Sequence, residues 1–380
     1  MWATGWERTK PMEKSVSNSA KPRVLFILHL PPPVHGAAMV GRTIRESGLV
    51  ADVFDSRFVN LSASESLSEV GRVSLRKMAF LFRLLRRVRK EIRDFHPDLV
   101  YLTPTTSGPG LVKDCLTARA VRKRGSRVVL HFHNKGVSVR QDRFPYGFLY
   151  RSLFRDAKVI LLSERLYPDV ERFVSREDVH ACPNGIDCPA FPAREEHAVP
   201  EILFLSNLLP DKGVVDLLDA CRMLKERGCR FTCRVAGAPS AGITGEHFAR
   251  LVSERKLADV VRYDGPLYGS AKQDALTGAD MLVLPTRNDS FPLVILEAMA
   301  AGLAVVSTRE GAIPDEVEDG VTGILCDKGD PCGLADSIGQ LLERPDVCRE
   351  MGAAGRSRYE RLFTKKAFEQ RFVEILKRHV

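Results

Sequence analysis

The sequence predicts an α/β protein made of two doubly wound domains, each with a parallel sheet that is covered by helices on both faces. Apolar runs rich in Val, Ile and Leu recur along the chain without polar alternation, and helical stretches separate them. Such runs are typical of parallel strands that are buried on both faces. A length of 380 residues also suffices for two domains with complete hydrophobic cores.

Ten strands are predicted, four in the first half of the chain and six in the second. They lie at residues 23–30, 98–103, 127–132, 158–163, 201–207, 231–237, 260–265, 280–285, 303–308 and 323–326. Helical periodicity fills the intervals, most clearly after the fifth strand. The apolar stripe of that helix consists of Val214, Leu217, Leu218, Cys221 and Leu224.

The boundary between the domains is expected at the Pro-Asn-Gly sequence of residues 183–185, which strongly favours a turn. Residues 1–21 are polar and lack the apolar core of a signal peptide, so they are predicted to form a disordered tail. The first domain is expected over 22–190 and the second over 195–362. A last helix, 363–380, is expected to pack back toward the first domain, with a ligand cleft between the two sheets.

The net charge of +9 is unevenly distributed. Residues 1–195 contain 33 Lys and Arg against 20 Asp and Glu, whereas residues 196–380 contain 24 against 28. The densest basic segment, 72–95, has the periodicity of an amphipathic helix, and most of its arginines lie off the apolar face. That face consists of Leu75, Met78, Phe82, Leu85, Val88 and Ile92. Such a helix can meet an anionic membrane or a nucleic acid, or it can simply cover a sheet.

Composition narrows the expected partners and location. Aromatics make up only 7% of the chain and are not interleaved with the basic residues, so nucleic acid is not an expected partner. No apolar run is long enough to span a membrane, and nine scattered cysteines fit a reducing compartment. The sequence therefore predicts a cytoplasmic protein, with peripheral contact at the inner face of an anionic membrane as an open expectation.

The most informative segment follows the predicted strand at 280–285. Two carboxylates, Asp289 and Glu297, stand there with seven residues between them, one before an apolar helix and one about two turns inside it. The helix N-terminus, where Pro292 fits the first turn, offers N–H groups and a positive dipole end to an anion. Carboxylates can bind hydroxyl groups, and a helix N-terminus can bind a diphosphate. The segment therefore indicates a nucleotide-sugar site. Taken alone, the segment is also compatible with an acidic loop that merely enters a helix.

Further candidates follow other strands. Lys212 stands before the helix that follows strand 201–207, where its cation suits a phosphate. Gly36 lies in a small-residue turn that allows a substrate to approach, although a tight turn alone also explains it. His131 and His133 end a buried strand and share one face, where a histidine can donate a hydrogen bond to a sugar hydroxyl.

Several common motifs are absent from the sequence. There is no D-x-D sequence and no carboxylate at helpful spacing from the two histidines, so no metal is expected. There is also no G-x-G-x-x-G after the first strand and no P-loop. Their absence weakens the dehydrogenase and P-loop interpretations.

Together these segments resemble the glycosyltransferases of family 4, which have the GT-B fold of two Rossmann-like domains facing across a cleft. The resemblance covers nearly everything from residue 23 onward. The family motif E-G-F-G/P-L-V-x-x-E-A-M-A is similar to residues 289–300, and G-R-L-x-x-x-K-G is similar to 206–213. The P-N-G and G-G-x-P-E turns of the family resemble 183–185 and 311–315.

The resemblance implies a role for each matching residue. Glu297 would bind the ribose hydroxyls and Asp289 the hydroxyls of the donor sugar, while His133 would contact the sugar near the leaving group. Lys212 would bind the diphosphate, helped by backbone amides at the helix start. Catalysis is expected to depend on His133, Lys212 and Asp289, and donor binding on Gly36, Asn207, Lys212, Phe291, Pro292, Leu293 and Glu297.

Three positions depart from the family pattern. Asp289 replaces the usual Glu and shortens the reach to the sugar by one methylene, and Asn207 stands where an Arg usually helps to neutralise the diphosphate. Ser290 replaces a Gly in a tight loop. All three positions keep polar side chains, so an active enzyme with altered donor choice is expected.

The resemblance implies retaining, metal-independent transfer of a sugar from a nucleotide-diphosphate donor to a glycan or lipid-linked oligosaccharide acceptor, in the synthesis of a bacterial cell-surface polysaccharide. A UDP-sugar is the preferred donor because UDP is the commonest carrier, and a GDP-sugar stays open; no further cofactor is expected. Two alternatives remain. One is a GT-B-type sugar-nucleotide epimerase or hydrolase, and the other is a non-catalytic protein that binds an anionic surface.

Overall fold

The computed structural model describes residues 20–32, 36–62, 75–192 and 197–380. The predicted tail of residues 1–21 lies outside this part of the chain, except for residues 20 and 21. In chain order, the first half contains β1 (Arg23–Leu28), α1 (Gly36–Arg45), α2 (Gly48–Val53), β2 (Asp55–Asn60), α3 (Leu75–Phe95), β3 (Leu99–Leu102), α4 (Gly108–Arg122), β4 (Arg127–His131), α5 (Tyr146–Phe154), β5 (Ala157–Leu161) and β6 (Val179–Ala181).

The second half continues with alternating strands and helices and ends in three helices. Its elements are β7 (Glu201–Leu205), α6 (Val214–Glu226), β8 (Thr232–Ala236), α7 (Gly245–Glu254), β9 (Val261–Gly265), α8 (Gly269–Gly278), β10 (Met281–Leu284), α9 (Leu293–Ala300), β11 (Ala304–Thr308), α10 (Ile313–Glu316), β12 (Gly323–Cys326), α11 (Pro331–Glu343), α12 (Pro345–Leu362) and α13 (Lys365–Lys377).

The twelve strands form two separate sheets. The first has the order β2-β1-β3-β4-β5-β6 and the second the order β12-β11-β10-β7-β8-β9. Every neighbouring pair within them is parallel. Parallel strands require crossover connections, and helices supply these and cover both faces. The predicted fold class, two doubly wound α/β domains, is therefore confirmed.

All ten predicted strands are present, and two further strands were not predicted. β2 is an edge strand whose residues are mostly polar and partly exposed, so it lacks the apolar run that marks a central strand. β6 has only three residues, all of them partly buried. Edge strands pair on one side only, and their weaker apolar pattern explains why both were missed.

Two layers of helices cover the first sheet. One face packs against α3, α4 and α5 through side chains such as Val88, Leu111 and Leu153. The other face packs against α1, α2 and α13, and in this layer Phe372 of α13 meets the ring of Tyr101 edge-on at 5.2 Å. The last long helix of the chain thus lies on the first sheet.

The apolar face predicted for α3 is wrong at Phe82, while Leu85 is partly buried and the side chains of Leu75 and Met78 lie outside the described residues. Leu84, Val88, Ile92 and Phe95 are buried, but Phe82 is 68% exposed. At 100° per residue, a side chain six positions before Val88 points about 120° away from it, so the buried stripe cannot include Phe82. Phe82 is instead an exposed aromatic residue on a basic helix.

Candidate active site

The predicted site residues lie beyond the carboxyl ends of the strands, where doubly wound sheets bind ligands. Lys212 lies in the connection between β7 and α6, and Asp289 lies between β10 and α9. β7 and β10 are neighbours in the sheet although they are far apart in the chain, so the strand order changes direction between them. This topological switch point brings the two residues together.

Lys212 and Asp289 form an ion pair between Nζ and Oδ2, and both side chains are mostly buried. Gly213 makes this contact possible. Its φ is +77°, and a Cβ atom there would lie 1.9 Å from the carbonyl oxygen of Pro285, the residue directly after β10. Only glycine fits such a close approach, so the turn that carries Lys212 is held against the loop that carries Asp289.

The end of the loop after β10 leads from a buried aromatic residue into the start of α9. Phe291 is 5% exposed, and its ring packs against Phe363 at a centroid distance of 6.1 Å. Pro292 is the residue before α9 rather than a member of its first turn, because its ψ of 108° is extended. The helix begins at Leu293, whose N–H is among those with no partner inside the helix.

Glu297 projects from α9 and pairs with Lys272 of α8, with Nζ at 2.7 Å and 2.6 Å from its two carboxylate oxygens. This lysine was not predicted. The pair is partly exposed, and Lys272 orients the Glu297 carboxylate on the helix that starts at Leu293. A carboxylate held in this way can accept hydrogen bonds from two neighbouring hydroxyls.

Gly36 and Asn207 have different surroundings. A Cβ atom on Gly36 would meet no other atom within 4 Å, so packing within the described residues does not require glycine there. Asn207 is exposed, and its Oδ1 accepts a hydrogen bond from the backbone N–H of Ala238 at 3.2 Å. Asn207 therefore joins the ends of β7 and β8, a structural contact that the sequence did not indicate.

The two histidines at the end of β4 share one face, with ring centroids 4.1 Å apart. His131 is fully buried, and its Nδ1 lies 2.7 Å from the hydroxyl oxygen of Tyr101. Burial, and then the neighbouring His133, hold the pKa of His131 well below its usual range. His131 is thus a neutral core residue, whereas His133 is partly exposed but has both ring nitrogens buried.

A second charged cluster faces Asp289 and was not predicted. The buried carboxylate of Glu310, between β11 and α10, contacts Lys135 of the first domain and Lys328 of the second, the latter at 2.7 Å. The backbone nitrogen of Asp289 lies 3.4 Å from the same carboxylate. Burial and the neighbouring Lys328 lower the pKa of Lys135, while Asp169 and Asp289 oppose this shift.

Lys135 is held on a rigid loop. Asp169 accepts hydrogen bonds from the backbone N–H groups of Gly136, Val137 and Ser138 at 2.8–3.1 Å. Thr106 Oγ1 donates to the carbonyl oxygen of Lys135 itself at 3.0 Å. The only sequence signal for Lys135 is its position two residues after His133.

Asp315 forms a second contact between the domains. It accepts hydrogen bonds from Ser163, which follows β5, and from Arg165 Nε at 2.6 Å. Its neighbour Glu316 is fully buried, and neither carboxylate oxygen of Glu316 has a hydrogen-bond partner within the described residues. Burial, and then the charges of Asp289 and Asp315, raise the pKa of Glu316 well above its usual range.

Two negative findings apply to the described ranges, 20–32, 36–62, 75–192 and 197–380. Within them, no group of three or more His, Cys, Asp or Glu side chains is placed to hold a metal ion. None of the helices described there is both long and apolar enough to cross a bilayer.

Two family profiles match consecutive parts of the chain. The family "Glycosyltransferase Family 4" matches residues 41–189, and "Glycosyl transferases group 1" matches residues 190–358. The junction between them falls beside the Pro-Asn-Gly turn.

Relatives of known name agree with these matches. The putative colanic acid biosynthesis glycosyltransferase WcaL of Escherichia coli is 27% identical over 276 residues, which are 69% of this chain and 67% of WcaL. The D-inositol 3-phosphate glycosyltransferase of Corynebacterium diphtheriae is 37% identical over 154 residues, or 40% of this chain. That alignment spans only 36% of the Corynebacterium enzyme.

A solved structure shares the fold over nearly the whole chain. The crystal structure of Anabaena Alr3699/HepE in complex with UDP has a TM-score of 0.69 at 18% identity, and the match covers 94% of this chain and 100% of that one. At this identity the likeness concerns the fold alone, which is the GT-B arrangement. The two family matches, the named relatives and this fold together show that the chain belongs to the family 4 glycosyltransferases, a family of transferase enzymes.

Proposed function

We propose that this protein is a retaining glycosyltransferase that moves a sugar from a nucleotide-diphosphate donor to a glycan or lipid-linked oligosaccharide acceptor in cell-surface polysaccharide synthesis. The observation that supports it best is the Lys212–Asp289 pair at the switch point of the second sheet. In this pair, a cation that can bind a phosphate contacts a carboxylate that can bind sugar hydroxyls. The named relative WcaL, a putative colanic acid enzyme, supports the polysaccharide assignment.

The proposed chemistry follows from the positions of these groups. Lys212 and the first N–H groups of α9, from Leu293 on, stabilise the charge that develops on the departing diphosphate. Asp289 accepts hydrogen bonds from the hydroxyls of the sugar, and Glu297 accepts those of the ribose. His133 contacts the sugar from the first domain. The acceptor hydroxyl then attacks from the face that the diphosphate leaves and gives its proton to the departing phosphate.

UDP is the preferred carrier in this proposal, with GDP as the alternative. The Anabaena protein of the same fold is described in complex with UDP, which supports a nucleotide at this cleft. Open space around Gly36 is compatible with close approach of the phosphates or the acceptor.

A panel of UDP-, GDP- and dTDP-sugars tests the donor site. We expect one donor to raise the melting temperature and to release nucleoside diphosphate, and Lys212→Ala and Glu297→Ala to abolish both responses. Lys366→Ala, at an exposed lysine of α13, is the charge-matched control and should behave as wild type. Turnover of the donor alone into a new sugar nucleotide or a free sugar would favour an epimerase or hydrolase. No response to any donor would refute the proposed transferase site.

We further propose that the first domain contacts an anionic membrane through what we call the α3–α5 surface. α3 packs against α4, and α4 packs against α5, so their outer faces are neighbours. These faces, with the turn before α5, expose large apolar side chains among exposed arginines. The apolar residues are Phe82, Val112, Leu116, Phe144 and Phe148, and the arginines are Arg83, Arg86, Arg143 and Arg151.

This composition suits the boundary between lipid head groups and acyl chains, because arginines attract anionic lipid while aromatic rings insert. A lipid-linked acceptor would then reach the cleft from the membrane. In this proposal the protein is cytoplasmic and binds the inner face of the membrane peripherally, which would account for the basic first half of the chain.

Vesicle sedimentation tests the membrane contact. We expect binding to vesicles that contain anionic lipid, little binding to neutral vesicles, and loss of binding in the double variant Phe144→Ser/Phe148→Ser. Tyr268→Ser is the control, since Tyr268 is 73% exposed on the second domain. Equal binding to both vesicle types, or equal loss in the control, would contradict the proposal.

A further inference from the structure

Two ammonium groups in the cleft share one carboxylate. Glu310 is 3% exposed and contacts both Lys135 and Lys328, while Lys212 is already paired with Asp289. Glu310 can neutralise only one of its two partners, so these direct contacts leave one surplus positive charge, which the charge of Asp169 partly offsets at Lys135. Because Lys135 is partly buried, an anion that completes the cluster stabilises it.

The surplus charge is positioned before any ligand arrives. Asp169 accepts three backbone hydrogen bonds from the residues after Lys135, and Thr106 binds the Lys135 carbonyl oxygen. On the opposite side, Glu310 is buried and holds both ammonium groups in place. A preorganised pair of ammonium groups binds a carboxylate with little further loss of side-chain freedom.

The cluster lies at the sugar end of the proposed donor site. Lys135 is two residues from His133, and the Glu310 carboxylate is 3.4 Å from the backbone nitrogen of Asp289. His133 and Asp289 are the residues proposed to contact the donor sugar. The diphosphate has its own partners, Lys212 and the start of α9, in the second domain.

We propose that Lys135 and Lys328 bind an acidic group on the transferred sugar, so that the preferred donor is a nucleotide-linked uronic acid. This inference rests on the proposed function. Glu310 orients the two ammonium groups, and the C6 carboxylate of the sugar supplies the missing negative charge. Two charge-assisted hydrogen bonds at a partly buried site correspond to a preference of about tenfold or more over the neutral sugar.

The experiment compares donors that differ only at C6. Calorimetric titration gives Kd for UDP, GDP, UDP-glucose, UDP-glucuronate, GDP-mannose and GDP-mannuronate with the full chain. The variants are Lys135→Met, which removes the charge, and Lys135→Arg, which keeps it. Lys366→Met on α13 is the matched control at an exposed lysine.

We expect wild type and Lys366→Met to bind the acidic member of one pair about tenfold more tightly than the neutral member. In Lys135→Met the two members should bind alike, with Kd of the neutral donor changed by less than about twofold. Lys135→Arg should recover most of the preference for the acidic donor. Such a recovery would show that Lys135→Met acts through the lost charge and not through a general loss of structure.

The inference is overturned if wild type binds the neutral member as well as the acidic one. It is also overturned if Lys135→Met weakens UDP or GDP and both sugar donors equally, because the lysine then serves the diphosphate. In both cases nucleotide binding persists and the proposed function stands. If none of these nucleotides binds wild type, the proposed function and this inference fail together.

Discussion

The pKa of Glu316 is strongly changed by the burial of this residue and by the charges around it. Its carboxyl group is fully buried without a hydrogen-bond partner in the described structure, and it lies close enough to Asp289 and Asp315 to feel their charge. Burial and these charges raise its pKa well above the usual range of a glutamate. The folded protein therefore favours the neutral acid near the loop of residues 285–292, which carries Asp289 and is called the donor loop after its proposed ligand.

This raised pKa predicts a pH-dependent stability. The folded state binds the Glu316 proton more tightly than the unfolded state does, so its contribution is fully present below the unfolded pKa and is lost as pH rises through the folded pKa. Glu316→Gln stays neutral at every pH. We expect its melting temperature to exceed that of wild type by at least about 2 °C at neutral pH, and the difference to vanish near about pH 4.

Calorimetry at several pH values measures the effect, with Glu343→Gln as the control because Glu343 is exposed on α11. A difference between Glu316→Gln and wild type that does not change with pH would contradict the interpretation.

At the scale of elements, the turn between β11 and α10 fixes the donor loop. Gly311 has a φ of +56°, and a Cβ atom there would lie 2.3 Å from the carbonyl oxygen of Asp289. The next residue, Ala312, donates its N–H to the Ser290 carbonyl oxygen at 3.0 Å. The turn and the donor loop thus pack backbone against backbone, which leaves no room for a side chain.

Gly311→Ala and Gly320→Ala form a matched pair of variants. Both positions have positive φ, but a Cβ atom at Gly320 would meet nothing within 4 Å. We expect Gly320→Ala to cost about 1–2 kcal/mol of unfolding free energy from backbone strain alone. Gly311→Ala should cost about 1 kcal/mol more and should also weaken donor binding, because Asp289 must move. Urea unfolding and donor titration measure both; equal effects in the two variants would refute this role of the turn.

Elements with regular patterns could be predicted from the sequence. The ten apolar strands and the apolar stripe of α6 were predicted correctly, because a strand that is buried on both faces has a continuous run of apolar residues. The edge strands β2 and β6 were missed because β2 is mostly polar and β6 is only three residues long. Phe82 was assigned to the wrong face of α3. At the donor site, the sequence indicated Lys212 and Asp289 because each follows a strand end at a helix start.

At the scale of the whole molecule, the contacts between domains could not be predicted. Lys135 meets Glu310 across 175 positions of the chain, and Ser163 meets Asp315 across 152. Such pairs depend on how two separate sheets face each other, which no local pattern records. The contact between Lys135 and Glu310 was therefore found only in the structure. Lys272 and Lys328 form their pairs within the second domain, and no local sequence pattern indicated them either.

The ion pair between Arg165 and Asp315 connects the two domains, so its removal should change how the domains are arranged. Its pair with Asp315 is partly exposed, so its removal should cost no more than about 1 kcal/mol, enough to shift the domains apart but not to unfold them. We expect Arg165→Met to have a larger radius of gyration than wild type without ligand, and to recover the wild-type value with saturating donor. Small-angle scattering measures this change.

Arg176→Met is the control, because Arg176 pairs with Glu164 within the first domain. A radius of gyration unchanged in Arg165→Met, or increased equally in the control, would show that the Arg165–Asp315 pair does not hold the cleft closed.

The central claim is that Lys212 holds the diphosphate of a nucleotide-sugar at the switch point of the second sheet. Calorimetric titration of UDP and of GDP into wild type, Lys212→Met and Lys366→Met tests it most directly. We predict saturable binding of one nucleotide to wild type and to Lys366→Met, with Kd raised at least about tenfold in Lys212→Met. Binding that is unchanged in Lys212→Met, or that is absent for both nucleotides in wild type, would contradict the account.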